Sequence, residues 1–487
     1  MKIGLCGGCI MSKKVYDIER NISFSILSEA QKMEINQGAL EILETIGMKI
    51  SGERMLKKLA EKELYPDENG IVYFPRSIVK WALSVVPKEV VLYGVDGEPR
   101  IFLDNTNRVY FGTHANQLEY LDYKTNQARP FLKGDTAVMC KLANALENID
   151  FIYSVGLSSD VPARVQSQVD FIETLKQSQK TVLFSSNDIA SVQECIDIAA
   201  IAAGGIDNLK AKPFVCHYCE PIPPLTHPVE STEKLYICAE NRLPVIYMPY
   251  CMMGGTAPMD RATTLAQCFS EILAGIVMTQ LVSEGMPFII GAMPSIIDMR
   301  TTVGSYAAPE FHMMIAASSE MADYYGLPFY GTASTSDAKT IDEQSMGEIS
   351  YELLSTMLSK ANLIHDIGLL DHCLNVSPAA VVFANEIINM LKSYNRGVDD
   401  HVDLDLIREA GHGKHYLTAE NTVIRCKEVW YPKHFSRDMT NPDKSNIMEK
   451  IVAHIDEIMA QEQVSPLPKE ILAKLEELQK QYLESSI

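Results

Sequence analysis

The sequence predicts an α/β fold, a (β/α)8 TIM-type barrel, because eight short apolar runs alternate with eight helical stretches along its middle. The runs are VYFGT (109–113), FIYSV (151–155), TVLFSS (181–186), FVCHY (214–218), VIYMPY (245–250), FIIGAM (288–293), FYGTA (329–333) and NLIHDIG (362–368). The helical stretches are 134–147, 163–178, 189–204, 229–241, 261–284, 306–325, 342–360 and 378–395. In 261–284, Leu265, Phe269, Ile272, Ile276, Val277 and Leu281 recur at three- and four-residue spacings, which makes one buried stripe. Runs four to seven are introduced by Pro213, Pro244, Pro287 and Pro328, at a position where the missing N–H costs no ladder bond.

Eight units favour a closed barrel over an open doubly wound sheet. A dinucleotide-binding sheet would carry G-x-G-x-x-G after its first strand, and GTHANQ after VYF does not supply it. Residues 1–20 read as a flexible tail. Residues 21–105 read as an N-terminal cap with two helical stretches, one at 28–46, and short strands at IVYFP (71–75) and VVLYG (90–94). The barrel takes 106–396. Residues 397–487 form a C-terminal extension whose helices, 445–461 and 467–484, pack on the barrel or face a partner.

The chain has 487 residues, 47% hydrophobic and 22% charged, with a formal net charge of −20. No Lys/Arg-dense stretch is present, which argues against nucleic-acid binding. The eleven cysteines lack the spacing of a secreted disulfide framework. The opening MKIGLCGGCIMSKK is too short and glycine-rich for a signal peptide, and no uncharged apolar run reaches the length of a membrane span. A cytoplasmic protein is expected.

Barrel chemistry sits on the loops that follow the strands. The strand ends offer Tyr110, Thr113 and His114, then Ser158 and Asp160, then Ser185, Ser186 and Asn187, then His217, Tyr218 and Glu220. Next come Tyr247 and Tyr250, Asp298 and Arg300, then Tyr330, Thr332, Ser334 and Asp337, and last His365 and Asp366. Tyrosines are many, cations few, and no tight acid cluster shows. Aromatic faces attract a quaternary ammonium, whose charge no hydrogen bond can satisfy; each tyrosine alone could equally be packing.

Metal is not expected. His114, His217 and His365 could converge, but there is no H-x-H or H-E-x-x-H, and the pairs Cys6/Cys9 and Cys216/Cys219 lie in a tail and along a strand whose i, i+3 positions face opposite sides. No G-x-S-x-G elbow or phosphate cradle appears, so no catalytic nucleophile is named.

Five longer phrases carry a resemblance: MGGTAPMDRATTLAQCFSEILAGIVMTQL (253–281), IIGAMPSIIDMRTT (289–302), APEFHMMIAASSEMADYYGLP (308–328), STSDAKTIDEQSMGE (334–348) and ANLIHDIGLLDHCLNVSPAAVVFANEI (361–387). Together they make the chain resemble the trimethylamine methyltransferase superfamily from about residue 25 to 480. The archaeal trimethylamine enzymes of that family carry pyrrolysine near the end of a late barrel strand; here FYGTAST (329–335) holds only standard residues, with Tyr330 to Thr332 at the matching place. The resemblance is therefore to the non-pyrrolysine branch, and it implies transfer of a methyl group from a quaternary amine such as glycine betaine, proline betaine or carnitine to the Co(I) of a corrinoid protein.

On that resemblance Tyr110, Tyr250 and Tyr330 are expected to cage the N-methyl groups, with Arg300 or His365 receiving the substrate carboxylate and His217 also at the site. Tyr110 and His365 are the most family-consistent pair. Asp337 and Gln344 order the strand-seven loop, although Asp337 could instead cap the next helix and Arg300 could serve a barrel salt bridge. No D-x-H-x-x-G cobalamin motif occurs, so the corrinoid (cobalamin) is expected on a separate partner protein, with a homo-oligomer formed through outer helices. The alternatives are a related corrinoid methyltransferase with another methyl donor, and a non-catalytic betaine-binding protein.

Overall fold

Four prolines mark where the sheet begins. In the computed structural model the carbonyls of Pro244, Pro287 and Pro328 accept the N–H groups of His217, Val245 and Ile290 on the preceding strands, so each proline contributes its acceptor to the ladder without needing a donor. The structure describes residues 22–485 apart from 105–107, 115, 360, 400, 438–439, 441–445 and 463. The expected tail at 1–20, with Cys6 and Cys9, lies outside the described residues.

The eight barrel strands are β1 (Tyr110–Thr113), β2 (Phe151–Tyr153), β3 (Thr181–Phe184), β4 (Val215–Cys219), β5 (Val245–Tyr247), β6 (Phe288–Gly291), β7 (Phe329–Thr332) and β8 (Leu363–Ile367). They close in sequence order into a parallel barrel, β8 pairing with β1. The helices that follow them are α1 (Lys133–Ala145), α2 (Gln166–Gln177), α3 (Ile189–Ala203), α4 (Val229–Glu240), α5 (Arg261–Val282), α6 (Pro309–Tyr324), α7 (Glu343–Leu358) and α8 (Pro378–Tyr394). All eight strands and all eight helices fall where the sequence places them. The helix expected from 306 starts at Pro309, because proline at the first turn gives up only an N–H that the helix would leave unpaired.

The α5 helix is long and apolar enough to cross a membrane, yet it is a core helix with 89% of its apolar window buried inside the protein. Its stripe packs between the barrel and the N-terminal helix Glu29–Glu41, where Gly38 lies against Ala266. That N-terminal region holds three helices rather than two. The extra one is among Glu53–Ala60 and Arg76–Val85, which are too short for periodicity to announce both.

A hairpin of Val90–Tyr93 and Pro99–Leu103 covers the amino end of the barrel. The Tyr93 N–H donates to the Pro213 carbonyl (2.9 Å), the Thr181 hydroxyl to the Tyr93 carbonyl (2.7 Å), and the Phe102 N–H to the Tyr110 hydroxyl (3.2 Å). Inside, Gly112 meets Phe151 of β2; a Cβ there would overlap the phenyl ring. Floor and waist are thus filled, and the carboxyl end is where a ligand can enter. The C-terminal helices Ile447–Ala460 and Lys469–Glu484 pack outside α8, α1, α2 and α3; the Tyr123 hydroxyl donates to Asp456 (2.8 Å) and Gln479 to the Val169 carbonyl (3.2 Å).

Candidate active site at the barrel mouth

Strand β8 breaks its own alternation. Successive strand residues normally point to opposite faces, but the register against β1 shifts between Ile364 and Ile367, and Asp366 takes φ +77°. A left-handed non-glycine residue is rare and is held only where its surroundings fix it. The bulge turns Asp366 toward the same buried space as His365. Both then meet His114 from the end of β1.

One fully buried carboxylate organises this cluster. Asp366 accepts hydrogen bonds from the Thr332 hydroxyl and from His114 Nδ1, and His365 Nε2 lies 3.2 Å from its Oδ1. His365 is oriented by a bond from Nδ1 to the Gly331 carbonyl (2.7 Å). His114 Nε2 faces Cys373 Sγ at 3.2 Å. Burial works against a charge on His114, yet the neighbouring Cys373 sulfur and the Asp366 carboxylate raise its pKa to about 10. Burial works against the Asp366 charge too, but both histidines hold its pKa below the ordinary carboxylate range.

Rings surround the cluster. Register in a parallel sheet puts paired residues on one face, so Tyr330 and Thr332 share the lumen with Leu363 and His365. Tyr330 lies face to face with His365, centroids 4.2 Å apart, and His365 stacks toward His114 at 6.1 Å. On the other side Tyr330 meets Tyr218 (6.3 Å), and Tyr218 meets Tyr153 (5.7 Å). The arc runs Tyr153, Tyr218, Tyr330, His365, His114. Burial lifts the pKa of Tyr153, Tyr218 and Tyr330 well above the tyrosine range, so all three stay neutral phenols. The Tyr330 hydroxyl and Ser334 Oγ are buried without a partner among the described residues. Beside Tyr218, a polar cavity of about 340 Å³ opens among Asn116, Ser185, Glu220 and Lys234.

The loop after β7 is braced from behind. Glu352 of α7 accepts the Thr335 N–H and hydroxyl (both 2.7 Å) and pairs with His312 of α6 (3.1 Å), all within the protein interior. Glu348 accepts the Asp337 N–H (3.1 Å) and Gln344 (2.9 Å). Asp337 in turn accepts the Tyr306 N–H (3.0 Å) and lies 3.1 Å from His372.

The structure brings together Tyr330 and His365 from the sequence-predicted set. Tyr250 stands at the mouth rather than in the arc; it stacks on Tyr306 (6.3 Å, planes 15° apart) and its hydroxyl bonds Ser295 (3.3 Å). Asp337 is a loop brace and not a helix cap, since Asp342 caps α7 by accepting the Ser345 N–H. Arg300 sits exposed in the turn between Ile296–Ile297 and Gly304–Ser305, and among the described residues it makes no barrel salt bridge.

Tyr110 does not join the arc. It faces the lumen at the opposite, amino-terminal floor, because it is the first residue of its strand and not the last. His217 is displaced outward. It is in register with Phe184, which packs on Phe171 of α2, so both face the helices; burial drives its pKa down to about 3. Three members of the arc, Tyr153, Tyr218 and His114, were therefore not singled out as binding residues, nor was Asp366.

Among the described residues, His114, His365 and Asp366 form the group whose ligand atoms, within 4.8 Å of one another, could hold a metal ion. Those atoms already bond one another. Cys216 and Cys219 are free, buried thiols, Cys219 facing the Ser231 carbonyl at the start of α4.

Fold and site together define a barrel enzyme with an aromatic-walled mouth. Residues 10–482 match the family model "Trimethylamine methyltransferase (MTTB)", and the chain belongs to that family of corrinoid-dependent methyltransferases. It is 28% identical over 463 residues to glycine betaine methyltransferase of Desulfitobacterium hafniense (strain Y51), covering 93% of this chain and 96% of that protein. It is 25% identical over 474 residues to trimethylamine methyltransferase MttB of Methanosarcina barkeri (strain Fusaro / DSM 804), covering 93% and 94%. The crystal structure of the Methanosarcina barkeri monomethylamine methyltransferase (MtmB) superposes with a TM-score of 0.45 at 12% identity, covering 94% of this chain and 92% of that one.

Proposed function

We propose that this enzyme takes a methyl group from a quaternary amine of the betaine type and delivers it to the Co(I) of a separate corrinoid protein. The observation that carries this reading is the arc of neutral rings from Tyr153 to His365 at the carboxyl end of the barrel. Ring faces attract a tetraalkylammonium, and in a water-poor site each such contact contributes about 2 kcal/mol. Asp366 is not free to form an ion pair with the cation, since its oxygens accept from Thr332 and from His114, whose charge it already balances.

The corrinoid supplies the nucleophile, and this chain's residues position the methyl group. When a C–N bond of a quaternary ammonium breaks, the amine keeps the bonding pair and leaves neutral. No proton donor is needed, and the high pKa values of Tyr153, Tyr218 and Tyr330 agree with that. Holding the reacting groups in line is then the main catalytic device. The enzyme works in the cytoplasm, a reading supported by nine described cysteines that are all free.

The test is a transfer assay. The protein, its Co(I)-corrinoid partner and a panel of quaternary and tertiary amines are mixed, and corrinoid absorbance is followed. Methylation with a betaine supports the proposal; methylation with trimethylamine alone, or tight betaine binding without transfer, overturns it.

A further inference from the structure

We infer that His114 anchors an anionic end of the substrate, so that the site selects zwitterions over simple quaternary cations; this rests on the proposed quaternary-amine reading. His114 stands at the end of the arc, one ring beyond the His365–Tyr330 stack. A short linker carries an anion from a cation seated among the rings to its edge. Nδ1 is committed to Asp366, which fixes the ring. Among the described residues Nε2 has only the Cys373 sulfur, 3.2 Å away, and sulfur is a weak acceptor that a carboxylate would outcompete.

The charged and titratable groups facing His114 are Asp366 and His365 from β8 and Cys373 from the loop after it. Asp366 neutralises the imidazolium and leaves its outer edge as a donor. The Tyr330 hydroxyl and Ser334 Oγ, both buried without partners, are further donors at the end of β7. Arg300, expected with His365 as the alternatives for this role, is exposed in its turn, and His365 gives its Nδ1 to the Gly331 carbonyl.

Titration calorimetry with glycine betaine, choline and tetramethylammonium tests the assignment. Wild type is expected to bind glycine betaine at least tenfold tighter than choline. His114→Gln is expected to lose that preference and keep its affinity for tetramethylammonium, while Arg300→Ala keeps the preference. Equal wild-type affinities for betaine and choline, a measurement that needs no variant, overturn the inference and leave the cation seat standing. So does retention of the preference in His114→Gln. Failure of all three ligands to bind overturns the quaternary-amine reading and the anchor with it.

A separate observation assigns a face to a second copy of this chain. Between α8 and helix Ile447–Ala460 lies a segment whose helices, Leu404–Ala410 and Glu420–Arg425, bury no residue. Val398, Val402, Leu417 and Tyr431 along it are 95%, 72%, 76% and 74% exposed. Helices of seven and six residues do not hold in water without packing. The segment leaves the carboxyl end of α8, the end opposite the mouth, and bonds back on itself there through Arg425–Asp399 (2.6 Å) and Arg396 to the Glu428 carbonyl (3.1 Å). A corrinoid partner must approach the mouth, so we propose that this arm packs on another copy. Charge agrees: seven Lys/Arg balance seven Asp/Glu over 396–437, a neutral patch on a chain of net charge −20.

Light scattering during gel filtration is the test. Wild type is expected to be a dimer or larger, and Val402→Asp with Leu417→Asp to give a folded 54.2-kDa monomer that still binds betaine. A monomeric wild type overturns the proposal. An unchanged mass in the double variant, together with lost methyl transfer, would assign the arm to the corrinoid protein instead.

Discussion

The imidazole of His365 lies against the phenol ring of Tyr330 with centroids 4.2 Å apart and planes 22° apart. One ring is fixed by the Gly331 carbonyl, and the other is closed in by Tyr218. Tyr330 therefore offers a rigid aromatic face rather than a titrating group. Tyr330→Phe keeps that face and removes only the hydroxyl, so binding of tetramethylammonium, which has no anionic end, is expected to change by less than threefold. Tyr330→Leu loses the face and is expected to weaken binding about thirtyfold, the scale of one desolvated cation–π contact of about 2 kcal/mol. Calorimetry on both variants checks this; equal losses would show that the hydroxyl, and not the ring, is what matters.

His114 and Asp366 make stability depend on pH with a definite sign. The folded pKa of His114 is raised from an ordinary 6.5 to about 10. Its contribution is thus fully present below 6.5 and is lost as pH rises toward 10. Asp366 has a lowered pKa, so its contribution is present above the ordinary carboxylate value and is lost at lower pH. Asp366→Asn is expected to flatten the alkaline slope and to cost about 3–5 kcal/mol, because it strands a buried partner. Denaturant unfolding from pH 6 to 10 measures it, and an unaltered alkaline slope in the variant would contradict the pairing.

Glu352 and His312 support the loop after β7 without lining the lumen. Burial raises the pKa of Glu352, and His312 opposes that rise. Glu352→Gln keeps the shape but removes the charge. It is expected to destabilise the protein by about 3 kcal/mol, the scale of a broken buried pair, and to raise protease sensitivity around 334–341. Loss of stability with an unchanged cleavage pattern would place its role elsewhere.

Gly112 is required by the close approach of Phe151. Gly112→Ala should cost about 1–3 kcal/mol through overpacking. Phe151→Leu, which shrinks the opposing ring, should recover part of that cost in the double variant. Additive losses in thermal unfolding would mean that the two residues do not meet.

The barrel was legible because β-branched and aromatic runs, opened by prolines, recur between amphipathic helices. The site was legible only in part. Parallel strands are buried on both faces, so FVCHY has no alternation to tell His217, which faces the helices, from Tyr218, which faces the lumen. Tyr153 in FIYSV was hidden in the same way. Tyr110 opens its strand and so reaches the floor, and the uniformly apolar VYFGT does not tell its first residues from its last. Pairing of Asp366 with His114 depends on a bulge and a left-handed backbone, and nothing in NLIHDIG announces either.

A structure with a bound betaine tests the central claim most directly. The account predicts the trimethylammonium group against the rings of Tyr153, Tyr218, Tyr330 and His365, with its carboxylate toward His114. An ammonium seated away from those rings, for example in the polar cavity beside Glu220 and Lys234, would contradict it.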